Sequence, residues 1–159
     1  MILIFDLDDT LFPRLSDNYT EKDLKNISLY PFVEEILSNK QIKHFLVTKG
    51  DFDFQNKKID NLGIKSFFNR ILVCQNDENK KTCFQEIISN CMGEKVFVIG
   101  DRINSEIKWG NQLGLITVHF KRGKYKDLKP IDNYEVADYE ITSFEELKNL
   151  LNRMKKFEK

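Results

Sequence analysis

The stretch Ile2–Leu11, ILIFDLDDTL, decides the fold, because four large apolar residues run straight into three carboxylates packed within four positions. A short, unbroken apolar run is typical of a strand that is buried on both faces of a parallel sheet. Acids crowded at its carboxyl end repel one another, and a divalent cation held by oxygen ligands would offset that repulsion. The stretch therefore predicts a central strand that carries a metal-binding site at its end.

The three carboxylates of this stretch do not point the same way. Asp6 and Asp8 are two positions apart, so they share one side of an extended chain, whereas Asp9 points to the other side. Asp6 is the candidate nucleophile, Asp8 the candidate acid and base, and Asp9 is expected to bond local backbone. Thr10 is placed to hydrogen-bond the loop that follows. The alternative is a plain strand that ends in an acidic turn.

Composition sets the broad class. A chain of 159 residues can bury one substantial core, and 25 acids against 25 bases give no electrostatic footprint for nucleic acid or a membrane surface. No apolar run approaches membrane-spanning length. Cys74, Cys83 and Cys91 show no pairing or zinc spacing, so they are expected to be reduced thiols of a cytoplasmic protein.

Outward from the first strand, apolar runs alternate with amphipathic stretches. Strands are predicted at 43–47, 69–74, 94–100, 116–120 and 139–141, and helices at 20–27, 31–40, 55–62, 81–91, 105–113 and 144–156. This alternation predicts an α/β fold, a three-layer αβα Rossmann-like arrangement with a mostly parallel sheet. Ligands bind such sheets beyond the carboxyl ends of the strands, near the switch in strand order.

The polar residues at those strand ends suit phosphoryl transfer from a monoester. Asp6 would attack phosphorus and Asp8 would protonate the leaving oxygen. Mg²⁺ would be held by Asp6, Asp101 and Glu106. The phosphate oxygens would be bound by Thr48, and a lysine, Lys80 or Lys81, would add positive charge.

These residues also resemble a known family. The segments FDLDDT (5–10), LVTKG (46–50), a lysine that opens a helix, and VIGDRINSE (98–106) resemble, in this order, the four motifs of the haloacid dehalogenase superfamily. The resemblance spans roughly residues 1 to 120. It implies a Mg²⁺-dependent phosphatase with Asp6 as nucleophile, Asp8 as acid and base, and Asp101 as metal ligand. It further implies that the backbone carbonyl of Asp8 binds Mg²⁺.

Other assignments in the same motifs stay open. The motif lysine is Lys80 or Lys81, with Lys80 favoured by its distance from the apolar Phe84. Lys57 and Lys58 are expected on a solvated helix face. The remaining candidate substrate contacts are Thr10, Thr48, Lys49, Gly50 and Lys81. Asp101 is expected to bind the metal directly, and Glu106 is expected to bind it directly or through a water molecule.

The spacing of the motifs leaves little room for a lid. The gap at about 12–29 is too short for a helical-bundle cap, so we expect a single domain, 1–159, with a short cap-like insert there. The expected partner is a phosphorylated small molecule or macromolecule, and an oligomer is possible. Two other functions compete with phosphatase: transfer of the phosphoryl group to an acceptor other than water, and phosphate binding without turnover.

Overall fold

The computed structural model describes residues 1–91 and 93–156, and their backbone forms a parallel sheet between two layers of helices. The described strands pair in the order β3-β2-β1-β4-β5-β6, and every pairing is parallel. Their bounds are β1 Ile2–Phe5, β2 Lys43–Lys49, β3 Arg70–Cys74, β4 Val96–Gly100, β5 Ile116–Phe120 and β6 Tyr139–Ile141. The predicted fold class is confirmed, with a wholly parallel sheet where a mostly parallel one was expected.

The helices lie on both faces of the sheet, and the alternation of β1 explains why. Leu3 and Phe5 belong to one apolar cluster and Ile2 and Ile4 to another, and all four are at most 1% exposed. The helices are α1 Glu21–Lys25, α2 Val33–Leu37, α3 Phe52–Leu62, α4 Asp77–Ile88, α5 Lys108–Gln112 and α6 Phe144–Lys156. The first cluster takes residues from α2, α3 and α6, and the second takes residues from α4. A strand covered on both faces has no solvated side, so its sequence is a continuous apolar run.

Several helix ends are explained by local chemistry. Thr20 caps α1 in a reciprocal arrangement with Asp23, and Gly63 ends α3 with a left-handed φ of 67°. Ser143 accepts a hydrogen bond from the backbone N–H of Glu146 in the first turn of α6. These positions follow ordinary capping rules.

Three helix starts were predicted wrongly. The helix predicted at 55–62 begins three residues earlier, at Phe52, because the side chain of Asp51 accepts a hydrogen bond from the N–H of Phe54 at 2.8 Å. The helix predicted at 81–91 begins four residues earlier, at Asp77, because the side chain of Asn76 accepts a hydrogen bond from the N–H of Asn79 at 2.9 Å. Conversely, the helix predicted from residue 31 begins only at Val33, after Phe32. Phe32 has a left-handed φ of 68° and is 43% exposed.

The segment after β4 is also not a plain α-helix. A π-helical turn at Ile103–Ile107 precedes α5, and π-helical turns are frequent at functional sites. Cys74, Cys83 and Cys91 are free thiols. Within the described residues, no helix combines the length and the apolar character that crossing a membrane requires.

Candidate active site

Three buried carboxylates converge where the strand order switches. Asp6 follows β1 and Asp101 follows β4, the neighbouring strand, while Glu106 comes from the π-helical turn. One oxygen from each of the three lies within 4.8 Å of the others, and each residue is at most 7% exposed. Parallel strands end at the same edge of a sheet, which is why residues so far apart in sequence meet here.

Gly100, the last residue of β4, makes room for this convergence. A Cβ at this position would overlap with the side chain of Glu106. The backbone N–H of Arg102 then donates to Glu106 Oε2 at 3.1 Å, which fixes the carboxylate over the strand end. Sequence reasoning did not single out Gly100, although its position directly before Asp101 is a signal for a close approach.

Lys80 is the cation that the carboxylates surround. Its Nζ donates to Asp6 Oδ1 at 2.7 Å and to Glu106 Oε1, and the residue is 3% exposed. Lys80 lies in the first turns of α4, so the early start of that helix determines where the ammonium is held. The cluster thus sets three carboxylates against one lysine.

This surplus of negative charge shows in the pKa values. Burial raises the pKa of Asp6 to about 7, with Glu106 adding to the rise and Lys80 opposing it. Burial also raises the pKa of Asp101, to about 9, and the charges of Asp6 and Glu106 act in the same direction. Burial disfavours the charged form of Lys80, but the two carboxylates outweigh it and raise the pKa of the lysine.

The donor set fits Mg²⁺. Asp6, Asp101 and Glu106 offer carboxylate oxygens, the ligands that hard dications prefer. A dication among them would favour the ionised carboxylates and so oppose the rise in the pKa values of Asp6 and Asp101 that burial and mutual repulsion cause.

Asp8 meets a partner that sequence reasoning missed. Both oxygens of Asp8 accept from Lys58 Nζ, each at 2.7 Å, and Lys58 is only 2% exposed. The expectation that Lys58 lies on a solvated face is therefore wrong, whereas Lys57 does point outward toward Glu21, 3.7 Å away. A signal existed, since Lys58 lies between Gln55 and Ile59 on the buried side of α3.

The end of β2 brings two further predicted residues to the site. Thr48 is 1% exposed and lines the cavity. Lys49 also lines it, but its Nζ is paired with Asp77 Oδ2 at 2.9 Å. Asp77 is shared with the guanidinium of Arg102, at 3.1 and 3.2 Å, so both cations are attached to the start of α4.

Three residues predicted as substrate contacts, Thr10, Gly50 and Lys81, do not line the cavity. Thr10 is fully buried behind the strand end, and its hydroxyl has no partner among the described residues. The N–H of Gly50 is used by Cys74 O at 2.9 Å, because the chain turns there into α3. Lys81 is the next residue of α4 after Lys80, and its Nζ donates to Gln112 Oε1 at the end of α5, at 2.7 Å.

Asp9 ties together two loops that wall the site. It has a φ of 57°, and its carboxylate accepts from the backbone N–H groups of Arg14 and Lys124, each at 3.0 Å. The expected bond to local backbone is present, together with a second one far along the chain. The cavity that results has a volume of about 410 Å³, and the segment after β1 and the loop after β5 both line it.

Comparison with known proteins identifies the family. A model of the haloacid dehalogenase-like hydrolase family matches residues 11–120. The glyceraldehyde 3-phosphate phosphatase of Methanopyrus kandleri is 28% identical over 144 residues, which are 84% of this chain and 62% of that protein. The protein of the same name from Methanocaldococcus jannaschii is 30% identical over 147 residues, 86% of this chain and 63% of that protein. The chain thus spans about three-fifths of the length of these relatives.

Solved structures agree on the fold. The HAD-hydrolase YfnB of Bacillus subtilis, whose structure was solved bound to magnesium, superposes with a TM-score of 0.72 at 21% identity, covering 95% of this chain and 98% of that one. The L-2-haloacid dehalogenase of Xanthobacter autotrophicus superposes with a TM-score of 0.67 at 10% identity, covering 95% and 98%. Because the family model covers more than half of the chain, the protein belongs to the haloacid dehalogenase-like hydrolases.

Proposed function

We propose that this protein is a Mg²⁺-dependent phosphatase that hydrolyses a phosphate monoester through an aspartyl-phosphate on Asp6. The observation that carries the proposal is the contact of Asp6 with buried Lys80 beside Asp101 and Glu106. A carboxylate held next to a fixed cation is oriented for attack, and the cation is placed where a phosphoryl group would bring negative charge.

The first half-reaction uses Asp6 and Asp8 together. An Asp6 oxygen forms a bond to phosphorus while the bond from phosphorus to the ester oxygen breaks, and Asp8 gives that oxygen its proton, so an alcohol leaves. In the second half, Asp8 takes a proton from water as the water oxygen bonds to phosphorus. The bond to Asp6 then breaks, which releases inorganic phosphate and restores both carboxyl groups.

The remaining residues bind and orient. Thr48 and Lys80 would hold the phosphate oxygens at the base of the cavity. Asp6, Asp101 and Glu106 would hold Mg²⁺, together with the backbone carbonyl of Asp8. The ion supplies charge that offsets the repulsion between the phosphate and the carboxylates.

The size of the cavity and the names of the relatives favour a small substrate. Two relatives are named glyceraldehyde 3-phosphate phosphatase, so triose phosphates come first among the esters to be tested. We further propose a single domain in which residues 12–29 act as a short cap-like insert, since Arg14, Leu15 and Tyr19 line the mouth of the cavity.

The test is release of inorganic phosphate from a panel of small phosphate esters that includes glyceraldehyde 3-phosphate. Turnover is expected with Mg²⁺, and none with EDTA or in Asp6→Asn. Wild-type rates equal to those of Asp6→Asn on every ester would overturn the proposal. Added glycerol tests the acceptor, because a phosphorylated glycerol formed in place of free phosphate would mark a phosphotransferase.

A further inference from the structure

Lys58 is a buried lysine that the proposed chemistry leaves without a role. It is 2% exposed, and its partner Asp8 keeps 30% of its side chain accessible from the cavity. A buried ammonium is costly unless it is paired, so a lysine retained here needs a strong partner. The two oxygens of Asp8 supply that partner at equal distances of 2.7 Å.

The surroundings of Lys58 hold its ammonium in one place. Its Nζ lies 4.6 Å from the ring centroid of Phe54 and 5.9 Å from that of Phe12, and both rings favour a cation over their faces. The next residue, Ile59, is fully buried in the core, and Asp51 caps the start of α3. The helix is thus held at its start by the cap and next to Lys58 by a core residue, and these contacts also fix the position of Lys58.

The contact constrains Asp8 more than a single hydrogen bond would. With both oxygens directed to one Nζ, the carboxylate faces Lys58 and cannot turn either oxygen away without losing a contact. The positive charge also lies where Asp8 becomes negative once it has given its proton to the leaving oxygen. Groups that are held in place before the reaction lose nothing to reorganisation during it.

We propose that Lys58 is a positioning residue that acts through Asp8 in protonating the leaving group. The inference rests on the proposed phosphatase function and deepens it. Lys80 orients the nucleophile, and Lys58 has the corresponding part for the acid and base on the opposite wall of the cavity. Each lysine therefore orients one of the two catalytic aspartates, Lys80 the nucleophile Asp6 and Lys58 the acid and base Asp8.

The experiment uses the dependence on leaving group. The 4-nitrophenolate of 4-nitrophenyl phosphate is a good leaving group without a proton, whereas the alkoxide of an alkyl phosphate must be protonated as it leaves. Lys58→Met is expected to lower kcat on the alkyl ester by about 100-fold, with KM little changed, and to lower kcat on the aryl ester by much less. Asp8→Asn should show the same selectivity, and the double variant should be no slower than Asp8→Asn alone.

The controls separate this role from a structural one. Lys57→Met alters the neighbouring exposed lysine and should leave both rates and the melting temperature unchanged. Lys58→Arg keeps the charge with a different shape, so it should show a smaller loss with the same preference, and it serves if Lys58→Met fails to fold. Equal losses on both esters, or a raised KM with unchanged kcat, would overturn the inference. The alkyl ester is chosen from the panel described above, and a wild type that hydrolyses no ester of that panel would instead overturn the phosphatase proposal itself.

Discussion

At the scale of single residues, the site depends on one choice between adjacent lysines. Lys80 and Lys81 are chemically identical, and the sequence could only rank them by distance from Phe84. The structure separates them by about 100° of helix rotation, with Lys80 toward Asp6 and Lys81 toward Gln112. The packing of α4 against the sheet decides which of the two lysines faces Asp6, and no local sequence motif indicates that packing.

Lys80→Met should therefore remove activity, and Lys81→Met should not. Loss of the ammonium leaves Asp6 and Glu106 without their cation, and we expect kcat to fall by about 10²- to 10³-fold. Without metal, the variant should also lose roughly 3–5 kcal/mol of stability near neutral pH, because buried charges are left unpaired. Steady-state kinetics and urea denaturation of both variants test this, and equal losses in the two would contradict the assignment.

A second residue-scale prediction concerns Gly100. The methyl group of Gly100→Ala would displace the side chain of Glu106, so we expect Mg²⁺ to bind about tenfold more weakly, while Asp6 and Lys80 stay in contact. Calorimetric titration with Mg²⁺ measures the affinity, and a melting curve in EDTA checks that the variant is folded. An unchanged Mg²⁺ affinity would show that Glu106 takes no part in holding the ion.

At the scale of elements, the strands were the easiest part to predict. The bounds 116–120 and 139–141 were predicted as observed. The first strand is buried along nearly its whole length and is largely apolar, whereas the second is a three-residue edge strand with the exposed Glu140 at its centre. The start of α4 was harder, since Asn76, Asp77 and Asn79 suit a polar loop as well as a helix cap. The ambiguity is resolved by tertiary contacts, in which Lys49, Arg102 and Ser105 all bond Asp77.

The cap of α4 gives a prediction of its own. Asn76→Ala removes the acceptor for the N–H of Asn79, and we expect it to cost about 1 kcal/mol of stability. Because Lys80 lies only one turn further along, fraying of this end should also lower kcat while KM changes little. Asn76→Ser restores an acceptor and should recover both values. Lost stability with unchanged kcat would show that Lys80 is held by its carboxylates alone.

At the scale of the whole molecule, the fold gathers acids that the sequence scatters. The net charge of the chain is zero, yet Asp6, Asp101 and Glu106 form a buried acidic cluster with a single lysine. The composition gives no hint of this local imbalance. It follows from topology, since placing β4 beside β1 brings position 101 next to position 6.

This imbalance predicts how stability depends on pH. The pKa values of Asp6 and Asp101 are raised in the folded protein, from 3.8 to about 7 and about 9, so the folded state holds protons that the unfolded state releases. In EDTA, their contribution to stability should be complete below about pH 4 and should be lost as the pH rises toward 9. Saturating Mg²⁺ favours the ionised carboxylates, so the decline should become shallower.

Urea denaturation across this pH range, with EDTA or with Mg²⁺, measures the difference. Asp101→Asn should flatten the decline in EDTA, because it removes the group with the larger shift. Parallel curves with and without Mg²⁺ would show that the cluster does not bind the ion.

The two backbone bonds of Asp9 carry a consequence for how this architecture can diversify. The Asp9 carboxylate connects the backbone at Arg14, in the segment after β1, to the backbone at Lys124, in the loop after β5. Residues inserted after Arg14 would leave the distance between these two backbone segments unchanged, and the reacting carboxylates would keep their positions. A longer cap segment could therefore be inserted between Arg14 and Thr20. Such an insertion would alter substrate selectivity without moving the catalytic residues.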